Sequence, residues 1–306
     1  MDYDDLVRRG KIKRIFKARQ KITEPNLVSH ITQRAAGKEP LFLEDSDYLF
    51  FLARLKEISK RRSVEIYAFC LMSNHVHLLL SPRNDELPWA MKDLFSPYAV
   101  MFNRKYERKG HLFAGPYRQA VCLDDTYLLA ASLYVHMNPV RAGLISDPRD
   151  YRWSSVRLFC DPNAPSSFVN PDFVLGLLSS DGKRQKEIYV DLLLKSAALE
   201  PGDPLENPDA IGAFRKNLAR RFPGIFSGFV RKNVQQRSGL EMLDDEEIEK
   251  AIKSMRNRKT RTTPEDKRAR KFLIEQLIAR GFKREEIAAK LGVSRKTIYN
   301  TMKNAD

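Results

Sequence analysis

Apolar and polar residues alternate from Leu27 to Gln33, which predicts a first β-strand. Glu44-Asp45-Ser46-Asp47 then supplies a helix-start signal. An amphipathic helix is expected from about Asp47 to Lys60, with Leu49, Leu52 and Leu55 on one side. Val64 to Met72 is rich in aromatic and β-branched residues and predicts a second strand. Ser73-Asn74 turns the chain tightly into a third strand beginning at His75. Helical pattern returns from about Pro88 to Lys109, with Pro97 inside it predicting a kink or a break. Gly110 to Gln119 reads as a loop, and Arg118 to Leu123 as a fourth strand. Asp124-Asp125-Thr126 caps a helix from Tyr127 to about Met137, and Asn138-Pro139 is expected to end it. Residues 24–157 therefore read β-α-β-β-α-β-α, an α+β class with an antiparallel sheet covered by helices.

Beyond this region the pattern changes. The expected organisation is a basic N-terminal arm (1–23), an α+β domain (24–160), a Pro-punctuated connector (161–208) and a helical region (209–306). The formal net charge is +15, and residues 251–306 carry 16 Lys+Arg against 6 Asp+Glu. Excess positive charge of this size fits nucleic acid or an anionic membrane surface. No apolar run approaches the ~18–20 residues that a membrane span needs, so nucleic acid is the better partner. The acidic start Met1-Asp2-Tyr3-Asp4-Asp5 does not read as a secretory signal. Cys70, Cys122 and Cys160 are widely spaced and predict free thiols in a cytoplasmic, nucleoid-associated protein. At about 283–304 the sequence has a helix-turn-helix pattern. Ile287, Ala288 and Leu291 point inward, Gly292 permits the turn, Val293 packs, and Ser294 caps the second helix. Arg295, Lys296, Thr297 and Asn300 then stand where recognition helices present side chains to DNA.

The candidate chemistry starts at Ser73-Asn74-His75-Val76-His77. Two of the chain's five histidines lie two residues apart in a strand and so share one face. Such a pair can hold one divalent ion or can simply be hydrogen-bonded at a strand end. Tyr134 and Asn138, four apart, share a helical face. The Asn138 amide oxygen could join His75 and His77 on magnesium or manganese. Tyr134 would then lie one turn away as a nucleophile towards a phosphodiester, or it is an ordinary core aromatic. Arg118 and Arg141 could pair with phosphate oxygens or be solvated. Tyr117 and Phe113, in the loop, are candidates for stacking on unpaired bases, whereas Phe95, Tyr98, Phe102 and Tyr106 recur at helical spacing and read as core.

At His30-Ile31-Thr32-Gln33-Arg34, Met72 to Leu80, Tyr134 to Gly143 and Tyr151-Arg152-Trp153-Ser154-Ser155, the chain resembles the single-tyrosine HUH transposases of the insertion-sequence-200-like group, and most closely the REP-associated tyrosine transposases. The resemblance covers about residues 20–160. It implies a ferredoxin-like fold with His75 and His77 as the HUH pair, Tyr134 as nucleophile and Asn138 as a third metal ligand. It also implies Mg2+ or Mn2+, and cutting of single-stranded DNA beside imperfect hairpins through a 5′-phosphotyrosine. A monomer and a homodimer are both compatible with it. Short members of the group end soon after the Trp-Ser-Ser motif, whereas this chain adds about half its length. Its last segment resembles the C-terminal DNA-binding domain of the bacterial replication initiator, with a basic loop at Arg256 to Arg261 before the helix-turn-helix. Two rival readings are a catalytically silent hairpin-binding DNA regulator and a hydrolytic metal nuclease that uses water instead of Tyr134.

Overall fold

In a computed structural model of the chain, the structure describes residues 22–37, 39–122, 124–197, 210–226, 243, 245–257, 263–280, 282 and 284–303. The expected arm, apart from its last residues, and most of the basic loop at 256–261 lie outside the described residues. The first part runs β1 (Ser29–Arg34), α1 (Asp45–Arg61), β2 (Val64–Met72), β3 (His75–Pro82), α2 (Leu87–Lys105), β4 (Arg118–Val121) and α3 (Asp125–Arg141). The four strands lie in the order β2-β3-β1-β4, and every neighbouring pair is antiparallel. The antiparallel sheet is the one that the element order predicts, and its strand order is the ferredoxin-like arrangement that the resemblance implies.

β3 is buried at every position, which explains why its central residues are nearly all apolar. One face of the sheet, with Ile31, Leu71, Val76, Leu78 and Leu80, packs on Phe51, Leu55 and Ile58 of α1 and Leu94 and Phe95 of α2. The opposite face, with Val28, Cys70 and Leu79, lies under Leu129, Leu133 and Met137 of α3. The edge of β2 is covered by the segment 151–155. Leu71 N donates to Trp153 O at 2.9 Å, Phe69 N donates to Ser155 Oγ at 2.9 Å, and the Tyr151 hydroxyl donates to Leu71 O at 2.8 Å. These bonds leave that edge without a free ladder for another chain to join.

Neither of the two prolines interrupts its helix. Pro97 does not break α2, which continues to Lys105. The carbonyl that a proline leaves without a donor, that of Asp93, accepts instead from Arg54 Nη2 at 2.8 Å. Pro139 does not end α3, which continues to Arg141. Asn138 Nδ2 lies 3.4 Å from the Val135 carbonyl that Pro139 leaves open and donates to Tyr134 O at 2.8 Å. A side-chain amide thus partly replaces the lost backbone donor.

The stretch read as a connector folds onto the first domain. After α4 (Val156–Cys160) and α5 (Asp172–Leu175), α6 (Gly182–Ala197) buries Tyr189, Leu192 and Leu193 in the core beneath α3. α7 (Ala210–Arg221) and α8 (Pro223–Phe226) add Ile211, Phe214, Leu218 and Phe226 to the same core. His136, on the side of α3 away from Tyr134, is fully buried between Tyr189 Oη and Ser155 Oγ, each at 2.8 Å. It is a structural link between α3, α6 and the Trp-Ser-Ser segment.

The last part is all helical: α9 (Asp245–Asn257), α10 (Pro264–Ala279), α11 (Arg284–Leu291) and α12 (Arg295–Lys303). It has its own core of Ile248, Leu273, Ile274, Leu277, Ile287, Leu291 and Ile298. Gly292 joins α11 to α12 at φ +65°, a conformation that favours glycine, and Ser294 Oγ accepts from Thr297 N at 3.0 Å as the cap of α12. The helix-turn-helix packing is the one expected from the sequence. No helix among the described residues is long and apolar enough to cross a membrane.

Because α3 needs α6 and α7 to bury its outer face, a chain ending at residue 160 should expose that face and lose cooperative unfolding. A chain ending at residue 226 should keep it. Urea denaturation followed by tyrosine and tryptophan fluorescence distinguishes the two, and a sharp transition in the shorter chain would contradict this packing.

Candidate active site

Residues directly opposite in an antiparallel pair share a face. The register sets His75 opposite Arg34, and His77 in one row with Cys70, Thr32 and Arg118 across all four strands. His30 lies two residues before Thr32 on β1, so it shares this face. The face is the one covered by α3. The sheet therefore gathers His30, His75 and His77 with Arg34 and Arg118 beneath Tyr134 and Asn138.

The two strand histidines are 3% and 1% exposed, and each has one ring nitrogen engaged within the protein. His75 Nδ1 is 2.7 Å from Asn74 Oδ1. A carbonyl oxygen only accepts, so Nδ1 carries the hydrogen and Nε2 keeps a lone pair. His77 Nδ1 is 2.9 Å from His30 Nε2, and the rings stack 5.1 Å apart at 7°. With His77 Nδ1–H donating to His30, the Nε2 of His77 is likewise left as a lone pair. Both Nε2 atoms are buried and have no hydrogen-bond partner among the described residues, and the same is true of Asn138 Oδ1. The Asn138 amide nitrogen is held by the Tyr134 carbonyl, so its oxygen is fixed as the free acceptor.

The aromatic ring of Tyr134 lies 6.1 Å from that of His77 and 6.3 Å from that of His30, edge to face with both. Tyr134 is 3% exposed. The Arg141 guanidinium sits 4.7 Å over its ring and 4.4 Å over the ring of Phe214, which comes from α7. Arg141 reaches this place because α3 continues past Pro139, putting Arg141 two turns beyond Tyr134 on the same face. Burial raises the Tyr134 phenol above its usual range, opposed by the charge of Arg141 and a hydrogen bond from it.

Burial dominates the histidines as well. It lowers His30 to about 4, with a smaller push from Arg118, and His75 to about 4, with a smaller push from Arg34. His77 is held well below the ordinary histidine value by burial and then by its neighbours His75, His30 and Arg34. All three imidazoles are thus neutral near pH 7, the form that binds metal. Among the described residues no three His, Cys, Asp or Glu side chains cluster as a metal site. Two imidazole nitrogens and one amide oxygen, each buried and unpartnered, nevertheless fit a divalent cation, with an amide completing the set in place of a carboxylate.

The structure sets the rings of His75 and His77 4.9 Å apart, Tyr134 against His77, Arg141 over Tyr134 and Arg118 in the histidine row, while Asn138 bonds the Tyr134 carbonyl on the helix that covers this face. Tyr117 precedes Arg118 and faces the other side of the sheet, against Phe95 at 6.5 Å. Arg295, Lys296 and Asn300 are exposed on α12. Arg295 pairs with Glu285 at 3.0 Å, and Thr297 is half-buried with its hydroxyl 2.9 Å from Ser294 Oγ, inside the cap. Sequence reasoning did not assign site roles to His30, Asn74, Arg34 or Phe214. Strand parity with His30 could have found Arg34; nothing local marks Phe214.

Residues 23–138 match the family described as IS200-like transposase, and residues 265–305 match the homeodomain-like family. No curated protein matches the chain. Among solved structures, a REP-associated tyrosine transposase bound to a REP hairpin overlaps 49% of this chain and 92% of its own, at 12% identity and a TM-score of 0.41.

Replacing His30 with Phe removes the group that orients His77 and should weaken Mn2+ binding by about 10–100-fold in calorimetric titration. Unchanged affinity would contradict the positioning role. In metal-free protein, the unfolded chain takes up histidine protons below about pH 6.5 while the buried rings resist until about pH 4. Stability should therefore fall as pH drops through that window. A thermal midpoint that does not change between pH 7 and pH 5 would contradict it.

Proposed function

We propose that this chain, whose residues 23–138 match the IS200-like transposase family, is a DNA-processing member of that family, a metal-dependent endonuclease and strand transferase for single-stranded DNA. It would cut beside palindromic hairpins through a 5′-phosphotyrosine on Tyr134. The observation that supports this reading is that His75 Nε2, His77 Nε2 and Asn138 Oδ1 are all buried without a partner among the described residues, on a sheet face and the helix that covers it, with the Tyr134 ring 6.1 Å from that of His77.

Those three atoms would hold Mg2+ or Mn2+. Bound there, the ion would supply charge neutralisation and orientation of the scissile phosphate. The Tyr134 oxygen attacks phosphorus, the P–O3′ bond breaks, and the 3′ oxygen leaves and takes up a proton as the phenol gives one up. One phosphodiester replaces another, so the reverse attack by a 3′-hydroxyl rejoins strands without ATP. Arg141 favours the phenolate against the effect of burial and would meet a phosphate oxygen. Arg34 and Arg118 add positive charge along the histidine row.

The second reading, a catalytically silent hairpin-binding regulator, draws support from the 3% exposure of Tyr134 beneath Arg141 and Phe214. Incubation with a hairpin-flanked single-stranded oligonucleotide and Mn2+ separates the readings on a denaturing gel. Wild type should form a covalent adduct that Tyr134→Phe does not. Cleavage without an adduct would favour attack by water, and no cleavage would favour the regulator.

The helix-turn-helix would read duplex DNA at the foot of the hairpin through Arg295, Lys296 and Asn300. Deleting residues 245–306 should weaken binding to the target more than it slows cleavage of a saturating oligonucleotide. Equal binding by the truncated chain would contradict this.

A further inference from the structure

A groove of about 650 Å3 runs between α2 and the loop 110–117, on the side of the sheet away from the histidines. Phe95, Phe113 and Tyr117 give it an aromatic wall, with Phe95 and Phe113 edge to face at 5.4 Å. Its rim is cationic. Lys92 lines it directly, Arg104 lies one helical turn beyond the lining residue Val100, and Lys109 leads into the loop. All three are exposed and make no salt bridge among the described residues, whereas nearby Lys105 and Arg108 are paired with Asp47 and Glu39.

We infer that this groove takes an unpaired nucleobase of the same DNA strand whose phosphate reaches Tyr134, which deepens the function proposed above and rests on it. A π-face against Phe113 and Tyr117, with phosphates at Lys92, Arg104 and Lys109, is the chemistry that an aromatic wall and a basic rim provide together. Ser96 and His111 also line the groove and have no hydrogen-bond partner among the described residues, so both are available to a base edge.

The wall is fixed in place before any ligand arrives. Gln33 Nε2 donates to Gly115 O at 3.0 Å, Asn103 Nδ2 to Gly110 O at 2.9 Å, and Ala114 N to Arg34 O at 3.0 Å. Arg34 is the residue opposite His75, and Tyr117 is followed directly by Arg118 of the histidine row. The groove and the candidate active site therefore share β1 and the start of β4, and one strand passing that end of the sheet meets both. The N-terminal arm is a poor occupant, because residues 1–21 carry 8 Lys+Arg against 3 Asp and would meet a rim of like charge.

The test uses the full chain and a DNA hairpin with single-stranded flanks, carrying 5-iododeoxyuridine at one flank position at a time. After irradiation, mass spectrometry of the adduct should place a crosslink within residues 89–117 for one or two flank positions. Ser96→Trp, an exposed position whose new ring fills the groove, should abolish that crosslink and weaken binding of the flanked hairpin about tenfold. It should leave a blunt hairpin without flanks bound as before. Crosslinks confined to other segments, or equal loss of flanked and blunt hairpins, would overturn the inference. Equal binding by Ser96→Trp, or stronger crosslinking when residues 1–21 are deleted, would do so too. The Tyr134 adduct is read on the same oligonucleotide: groove crosslinking without an adduct would sink only the cutting activity, and an adduct without groove crosslinking only the groove.

Discussion

Two imidazoles held neutral inside a sheet, each with one nitrogen already engaged, are the constraint on which the rest of this structure depends. A buried histidine with both nitrogens satisfied, as His136 is, links the elements around it and has no lone pair left to offer a cation. His75 and His77 differ because Asn74 and His30 hold only their Nδ1 atoms. Leaving a polar atom buried and unpaired costs about 1–3 kcal/mol. His75 Nε2, His77 Nε2 and Asn138 Oδ1 are three such atoms, on the histidine face of the sheet and the helix that covers it. A bound cation would satisfy all three together.

The geometry around these atoms rests on an irregular helix. α3 must present Tyr134 to His77 and also carry Asn138 and Arg141 beyond it, which requires passing through Pro139. The Asn138 amide nitrogen supports the backbone around the proline and thereby orients its own oxygen. The same residue thus allows the helix to continue and serves as a candidate ligand. The added length of the chain enters here as well. α7, beyond the region matched to the transposase family, supplies Phe214 against Tyr134 and Arg141, and Arg215 anchors the helix through an ion pair to Asp124 at 3.1 Å. The extension is part of the first core as well as the source of a helix-turn-helix.

Much of this was legible in the sequence because it is local. Strand alternation puts His75 and His77 on one face, helical spacing joins Tyr134 to Asn138, and the order of elements gives an antiparallel sheet covered by helices. The helix-turn-helix followed from Ile287, Leu291, Gly292 and Ser294 for the same reason. No break occurs at Pro97 and no stop at Pro139, because the rule about proline concerns an isolated helix, while here distant or neighbouring side chains, Arg54 and Asn138, take up the freed carbonyls. Residues 161–208 looked like a connector because their prolines and short helices obscure the periodicity. Their apolar positions become a face only against α3. Phe214 is about eighty residues from Tyr134 in the chain, and no spacing rule spans that distance.

The central claim is that His75, His77 and Asn138 converge on one divalent ion beside Tyr134. Anomalous diffraction from crystals soaked in Mn2+ measures this directly. The account predicts a single strong peak about 2 Å from His75 Nε2, His77 Nε2 and Asn138 Oδ1. A peak elsewhere, or Nε2 atoms turned away from one another with no peak between them, would contradict it.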